Sequence, residues 1–550
     1  MKSRTLSVMF LMLFVSASGL MADTIPGGNV SGTWYQSHSP YYIAGNITIP
    51  YDSTLTIEPG VRVNFLGSSS FTVHGWLEAI GTGTDSIHLA GSDWGSVFFN
   101  DAQDSSRMSY CSVSGARIVE VYCRGSSSPV ISHSSFIGSA SAAIRVLESS
   151  SPRISDCRIT GSGRGVSWES SADGTISGST IRGCRNVGVY KETNASLTLV
   201  GCIIDSNLTT NLHGGGGVFS RAGSLTLTDC TISNNFSGQG PGGGVCCRNG
   251  SVVLTNCTIR GNYAHDGQVL LGGGGIGLVR AAAVLSYCTL YDNFADYRAG
   301  AIVIDSGSLD IDHCTIDRNE SNCGYPPAGA AIVILGGATT AGITNSIISN
   351  NYGIHNMAAV YNQGTLAVAY SDFYNNDSCD ILGITPAGFG VLDTINRNGD
   401  SCDVYGNIFL NPMFVDTLNY DYHLASGSPC IDAGDPAFPP DPDSTITDMG
   451  ALFFFQTGLE EGSLPQTVHY RPGPTIVRGV LRLRPSRNPL PEGEGQRVRG
   501  HILLVDISGR TVMSLRAGDN DVSRLVSGVY FVKSTIDNRQ SHTARVIITR

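Results

Sequence analysis

The sequence predicts an all-β solenoid, a parallel β-helix of short stacked strands, followed by a small C-terminal β-sandwich. Three observations carry this expectation: a composition suited to strands and tight turns, a motif that recurs every 22 to 32 residues, and apolar positions that alternate within each recurrence. The chain has 68 glycines among 550 residues, yet only 14% of its residues are charged. Collagen would need glycine at every third position, and disorder would need high charge with few β-branched residues; neither holds. The net charge is −11, and lysine occurs only at Lys2, Lys191 and Lys533. Clustered cations of the kind a nucleic-acid backbone requires are therefore not expected.

Residues 1–22 read as a signal peptide: Lys2 and Arg4 give a positive start, Leu6 to Val15 is apolar, and small residues follow at Ala17, Gly19 and Ala22. That apolar run falls short of the ~20 residues a membrane span needs, and no later segment reaches it. Export is the expectation, with no transmembrane segment.

From residue 23 to 455 the chain repeats. LTLTDCTISNN (225–235), VVLTNCTIRGN (252–262), AVLSYCTLYDN (283–293) and LDIDHCTIDRN (309–319) show the unit most clearly. The landmark position reads Cys111, Ser135, Cys157, Ser179, Cys202, Cys230, Cys257, Cys288, Cys314, Ser346 and Ser371. Two residues later an apolar side chain always stands, from Val113 through Ile232 to Phe373, and three residues earlier one stands everywhere except at Ser132. Alternation of this kind means strands with one inward face. The change of parity between Leu227 and Cys230 marks a corner. A unit of two or three short strands cannot bury its own apolar face, but stacked coils join their faces into one core. About fifteen coils at ~4.8 Å each would make a rod of roughly 70 Å. The landmark cysteines read as small buried hydrophobes rather than zinc ligands, because single cysteines at this spacing form no Cys-x-x-Cys pair. A disulfide among Cys379, Cys402 and Cys430 is open in an oxidising compartment.

Length variation is confined to one side of each coil. Val218 to Cys230, Val245 to Cys257, Ile276 to Cys288 and Ile302 to Cys314 are all twelve residues apart, whereas the return paths differ in length. The variable loops (209–217, 237–244, 264–275, 295–300 and 320–329) therefore form a ridge, the usual place for a solenoid's binding face. They offer His213, His265, Asp266, Asp296, Tyr297, Arg298 and Tyr325 as contacts. Their glycine runs do not continue into Gly-Lys-Ser/Thr or a helix, so they read as turns rather than phosphate cradles. Lys191, beside Glu192 and Thr193, reads as part of a solvated turn.

The repeat resembles the right-handed parallel β-helix superfamily that includes the pectate lyases, over roughly residues 29 to 455. GNITIPYDSTLTIEPGVRVNF (45–65) resembles the first coil common in such proteins. The recurring Asn235-Phe236, Asn262-Tyr263 and Asn293-Phe294 are loosely similar to repeats of bacterial polymorphic outer-membrane adhesins. DIDHC (310–314) resembles a stretch of pectate lyases, but it falls on the ordinary repeat register, and no Arg-x-Pro-x-x-Arg element follows. The paired-aspartate and Gly-His-Gly motifs of polygalacturonase-like hydrolases are missing as well. NPMFVDTLNYDYHLASGSPCIDAGDPAFPPDPDSTITDMGAL (411–452) resembles a closing segment of many bacterial β-helix proteins. There Asp441, Asp443 and Asp448 supply hard oxygen ligands at a density that suits calcium, although aspartates in turns commonly cap backbone instead.

After a linker at 456–475, the β-patterned stretches 501–515, 525–534 and 543–550 suggest a small antiparallel sandwich over 476–550. Asp506, Gly509-Arg510, Ser527-Gly528-Val529-Tyr530 and a basic last strand resemble the C-terminal sorting domain of the type IX secretion system. NPLPEGEGQRVRG (488–500) departs from that pattern, in which Asn-Pro is followed by a longer apolar strand. The resemblance implies type IX secretion machinery as a partner and the outer surface of a Gram-negative-type bacterium as the destination. The function expected is binding of an extracellular polysaccharide, or adhesion, by the rod's flat repetitive face. The alternatives are a polysaccharide lyase or hydrolase on the same face, and a spacer without a ligand. A calcium requirement with an indispensable arginine such as Arg298 would mark the lyase.

Overall fold

The structure, a computed structural model, describes residues 23–103, 105–265, 271–323, 329–353 and 357–456, together with strands between Thr475 and Ile548. Two compact units divide between Phe454 and Phe455. The signal-peptide stretch 1–22, linker residues 457–474, and 488–500 lie outside the described residues.

The first unit is the solenoid. A sheet of fifteen strands runs from Thr24–Ile25 to Asp372–Tyr374, each strand hydrogen-bonded in parallel to its counterpart one coil on. A second sheet of 27 strands holds the other long walls of the coils. In two coils its two strand files fuse into the single strands Ile276–Ser286 and Ile302–Asp312. A third sheet of six short strands starts at Leu208–Thr209 and ends at Tyr352–Gly353.

Two one-residue corners turn each coil. The residue before the landmark has φ near +50° in coil after coil, as at Tyr110, Asp156, Asp229, Asn256, Tyr287, His313, Asn345 and Tyr370. Five residues further on, Ser206, Asn234, Asp292, Arg318, Asn350 and Asn375 do the same. Asn and Asp tolerate this left-handed region best, because their short side chains bond locally. Tyr and His corners are held by stacking across coils, Tyr110 on His133 at 4.6 Å and Tyr287 on His313 at 4.7 Å between ring centroids.

One landmark needs correction. The register pairs Ser112 with Ser135, so the partner of Cys111 is Ser134, not Ser135. Ser134 Oγ accepts the Cys111 N–H at 3.0 Å. With that shift Ile131 and Phe136 are the buried neighbours and Ile137 is 48% exposed, so the apparent exception at Ser132 disappears. No disulfide joins any of the fifteen cysteines; Cys402 and Cys430 are buried in one cluster, whereas Cys379 is exposed. Lys191 is also corrected: it is wholly buried, and its ammonium donates to the carbonyls of Thr193 and Ala222. Burial pulls its pKa down to about 8.

At the second corner the chain places Asn207, Asn235, Asn262, Asn293, Asn319, Asn351 and Asn376 one above another inside the rod. From Asn207 to Asn351 each side-chain NH2 donates to the amide oxygen of the next coil's Asn and to a backbone carbonyl of the previous coil; for Asn262 the acceptors are Asn293 Oδ1 and Ile232 O, both at 2.9 Å. Each Asn from Asn207 to Asn351 also donates its backbone N–H to the next Asn Oδ1, as Asn235 N does to Asn262 Oδ1 at 3.0 Å. The ladder ends where Asn376 Nδ2 meets Asp380 Oδ1 at 3.2 Å.

Residues 401–454 fold back over the outer face of the last coils. Alternate residues of the first sheet would otherwise face water, but here Tyr291, Thr315, Asp317, Ile347 and Asp372 are buried. Tyr422 donates to Asp317 Oδ2 at 3.0 Å, Ala451 N to Thr315 Oγ1 at 3.0 Å, and Tyr420 stacks on Tyr291 at 5.2 Å. His313, buried, bridges the two layers: Nδ1 lies 2.8 Å from Asp312 Oδ2 and Nε2 lies 2.6 Å from Thr447 Oγ1. His313→Leu is expected to remove both of these bonds at a cost of about 2 kcal/mol. Hydrogen exchange of amides in 430–452 should then rise roughly 30-fold while the ladder amides hold their rates. Equal rates in the variant would remove His313 from this role.

In the second unit, Thr475–Val477, Gln540–Ile548, Gly528–Ile536, His501–Asp506 and Thr511–Leu515 form a five-stranded sheet in that order, and Val480–Leu483 pairs with Gly518–Asp521 in a two-stranded one. All pairings are antiparallel except that of Thr475–Val477 with the last strand.

Candidate functional site

The ridge is built on the third sheet. In its two-residue strands one side chain points in and one out. Thr209, Ser237, Ala264, Ala295 and Ser321 are buried, while Leu208, Phe236, Tyr263, Phe294, Glu320 and Tyr352 face outward in register. The strand spacing sets the aromatic spacing. Phe236 and Tyr263 have centroids 5.1 Å apart with planes at 66°, and Tyr263 and Phe294 repeat both values. Edge-to-face packing of this kind holds the rings as a rigid file. At its C-terminal end Tyr352 donates to Glu320 Oε2 at 2.7 Å.

Polar groups gather beside the file. Tyr263 donates to Asp296 Oδ2 at 2.7 Å, and His265 Nδ1 bonds the same oxygen. Burial, and then the Asp296 carboxylate, push the Tyr263 phenol up to about 12. The Asp296 side chain is 20% exposed and that of His265 55%, so the imidazole stands at the solvent edge of the pair. The cluster offers a ring edge, an imidazole and a carboxylate within one patch, which suits hydroxyl-rich ligands with apolar faces.

Of the residues expected from sequence, the structure joins His265 with Asp296. His213 belongs to a different cluster, packed 5.2 Å from the Phe219 ring, with Arg248 donating to the carbonyls of Leu212 and His213. Burial first, then Arg248, lowers the His213 pKa. Tyr297 and Arg298 form a turn against Gly272, where an added Cβ would lie 1.8 Å from Tyr297 O, and Arg298 itself takes φ +52°. Among the described residues Arg298 makes no ion pair. Asp266 and Tyr325 lie outside the described residues. Tyr263, Phe236, Phe294, Glu320 and Tyr352 were not among the expected contacts. Their signal was present as the residue following each ladder position.

The aspartates of the closing segment, the candidate calcium ligands, accept hydrogen bonds from their own turn. Asp441 accepts from Thr447 Oγ1 and Asp448 N, Asp443 from Thr445, and Asp448 from Asp432 N and Phe454 N. Their oxygens satisfy the turn itself. Among the described residues no three His, Cys, Asp or Glu side chains are placed to hold one metal ion.

Parallel coils, two left-handed corners and an internal amide ladder define a β-solenoid. The chain belongs to the right handed beta helix region family, whose model matches residues 95–251 and 238–377. No curated protein matches the chain. Among solved structures it is similar to the pectate lyase Pel9A, at 13% identity and a TM-score of 0.35, over 72% of this chain and 88% of that one. It is also similar to ORF18 of Geobacillus virus E2, at 13% identity and a TM-score of 0.24, over 60% of this chain and 55% of that one. At these scores neither neighbour lends its chemistry to this chain. No helix among the described residues is long and apolar enough to cross a membrane.

Proposed function

We propose that this protein is a secreted or cell-surface rod that binds an extracellular polysaccharide along its ridge, and that the file of Phe236, Tyr263 and Phe294 is the contact surface. The observation that carries this reading is the file itself. It is rigid and linear, spaced by the coils, and edged by the hydrogen-bonding cluster of Tyr263, His265 and Asp296. A polymer of rings with apolar faces and hydroxyl edges meets both features at once. The leader at residues 1–22 and the landmarks at Asp506, Gly509 and Gly528 support export and a type IX sorting role for the C-terminal unit. Adhesion would follow from polymer binding at a cell surface.

The test is retention of the full chain on a panel of acidic and neutral polysaccharides, run beside assays for unsaturated uronate and new reducing ends. Tyr263→Ala or Phe294→Ala should weaken retention on the bound polymer about tenfold, or ~1.4 kcal/mol. Turnover abolished by His265→Ala would replace the binding reading with a lyase or hydrolase. Silence in every assay would leave the rod a spacer.

A further inference from the structure

A second surface lies away from the file, in coils whose return paths are short. There the chain passes from Ser139 to Ala142, from Ser162 to Arg164 and from Cys184 to Val187 with almost no loop, whereas the next return, from Asn207 to Val218, carries the first long insertion. The step between short and long returns leaves a hollow of about 410 Å³, lined by Ser141, Arg145, Gly163, Arg164, Arg185 and Asn186, among others. Gly163 keeps it close to backbone, since a Cβ there would lie 2.3 Å from Ala140 O. The long loop reaches its rim, where Asn211 Nδ2 donates to Asn186 Oδ1 at 2.9 Å. That bond occupies the oxygen of the Asn186 amide and leaves its NH2 with donors to offer.

Three arginines line this hollow, and one carboxylate, Glu169, lies against two of them. Arg145 grips Glu169 with both ends, Nε to Oε1 at 3.0 Å and Nη2 to Oε2 at 2.8 Å. Arg164 is set by different contacts. Its guanidinium carbon lies 3.5 Å from the centroid of the buried Tyr190 ring, Nη1 donates to Ser167 Oγ at 3.0 Å, and Glu169 is 3.7 Å away. Arg185 donates to Gly161 O at 3.0 Å and pairs with no carboxylate among the described residues. Against Glu169 the hollow thus holds two positive charges in excess, in a chain whose net charge is −11. Acidic residues outnumber basic ones 45 to 34, so carboxylates to neutralise these arginines are plentiful in the chain. Planar forks held by an aromatic face and a hydroxyl are suited to oxyanions, and the volume matches that of small-ligand sites.

We propose that this hollow binds an acidic saccharide, seating a carboxylate or sulfate substituent of the sugar between Arg164 and Arg185, with the Asn186 amide as a further donor. The saccharide half of the inference rests on the polysaccharide-binding reading above; the oxyanion half stands on the arginines. The site lies on different coils from the aromatic file, so the two can be lost separately.

Calorimetric titration of the full chain tests it with four probes: an oligouronate, the same oligomer with its carboxyls methyl-esterified, a sulfated oligosaccharide of like length, and inorganic sulfate. One or both acidic oligomers should bind at least tenfold more tightly than the esterified one, and the preference should fade as salt is raised. Arg164→Ala and Arg185→Ala should each reduce that preference about tenfold, with Arg185→Gln as a check because the side chain is exposed and in no ion pair among the described residues. Tyr263→Ala should lower affinity for all oligomers alike and keep the ratio. Equal binding of acidic and esterified oligomers, or wild-type preference in the arginine variants, would overturn the inference and leave the polysaccharide reading standing. Inorganic sulfate binding as tightly as the oligomers would show a free-anion site and overturn the saccharide assignment. Failure of every oligomer to bind would overturn both.

Discussion

Asn262→Leu is expected to destabilise the rod by about 3–5 kcal/mol, the largest loss of any single substitution in the coil interior. Leucine keeps the branched four-atom outline but none of the chemistry. Asn262 accepts from Asn235 N and Asn235 Nδ2, and donates to Ile232 O and Asn293 Oδ1. Its removal orphans a fully buried N–H and a buried carbonyl, each worth ~1–3 kcal/mol, with no route for water. The contrast is Ser162, which stands at the same corner two coils before Asn207 and whose hydroxyl has no hydrogen-bond partner. Ser162→Ala should change stability by less than about 0.5 kcal/mol. Guanidinium denaturation followed by tryptophan fluorescence measures both. Equal midpoints for the two variants would mean that the ladder is ornamental.

Asp372→Asn is expected to stabilise the protein at alkaline pH and to leave it unchanged in acid. Asp372 is wholly buried, accepting from Leu410 N at 3.0 Å and touching Cys430 Sγ at 3.5 Å. Burial pushes its pKa up to about 8, against a pull downward from Leu410 N–H. The folded value lies above the unfolded ~3.9, so the contribution of the protonated form is complete below pH 4 and is lost as pH rises through 8. The amide keeps the Leu410 bond and has no charge to bury. At pH 8.5 the gain should be on the order of 4 kcal/mol, falling to nothing near pH 4. Asp448, raised to about 7, and Glu120, raised to about 8, titrate in the same direction, so the slope with pH should shrink without vanishing. An unchanged slope between pH 5 and 8.5 would refute the assignment.

The rod was legible because its signal is redundant. A landmark, an apolar residue two places on and another three places back locate each strand independently, and the coils repeat the evidence. The one slip shows how that redundancy fails. In Ser132-His133-Ser134-Ser135 no cysteine marks the corner, and Phe136 and Ile137 are both apolar, so two registers look alike; only Ile131 decides between them. Lys191 misled because charge in a sequence argues for solvent, whereas two carbonyls close by satisfy it inside. The site was half legible. Variation in loop length pointed to the ridge and to His265 and Asp296, but the aromatic file sits on the invariant strands beneath those loops. The arginine hollow was not legible at all, since Arg145, Arg164 and Arg185 become neighbours only through the pairing of three successive coils.

Both corners have the same length in every coil of the ladder region, five residues from landmark to asparagine, and every rung offers the next one the same donor and acceptor. A rung therefore cannot tell which coil lies above it. Duplicating or deleting one whole coil leaves the interior bonding unchanged and alters only the number of aromatic positions on the outside. The length of the outer aromatic file thus becomes a quantity that gene duplication can adjust in steps of one strand spacing, without redesign of the core.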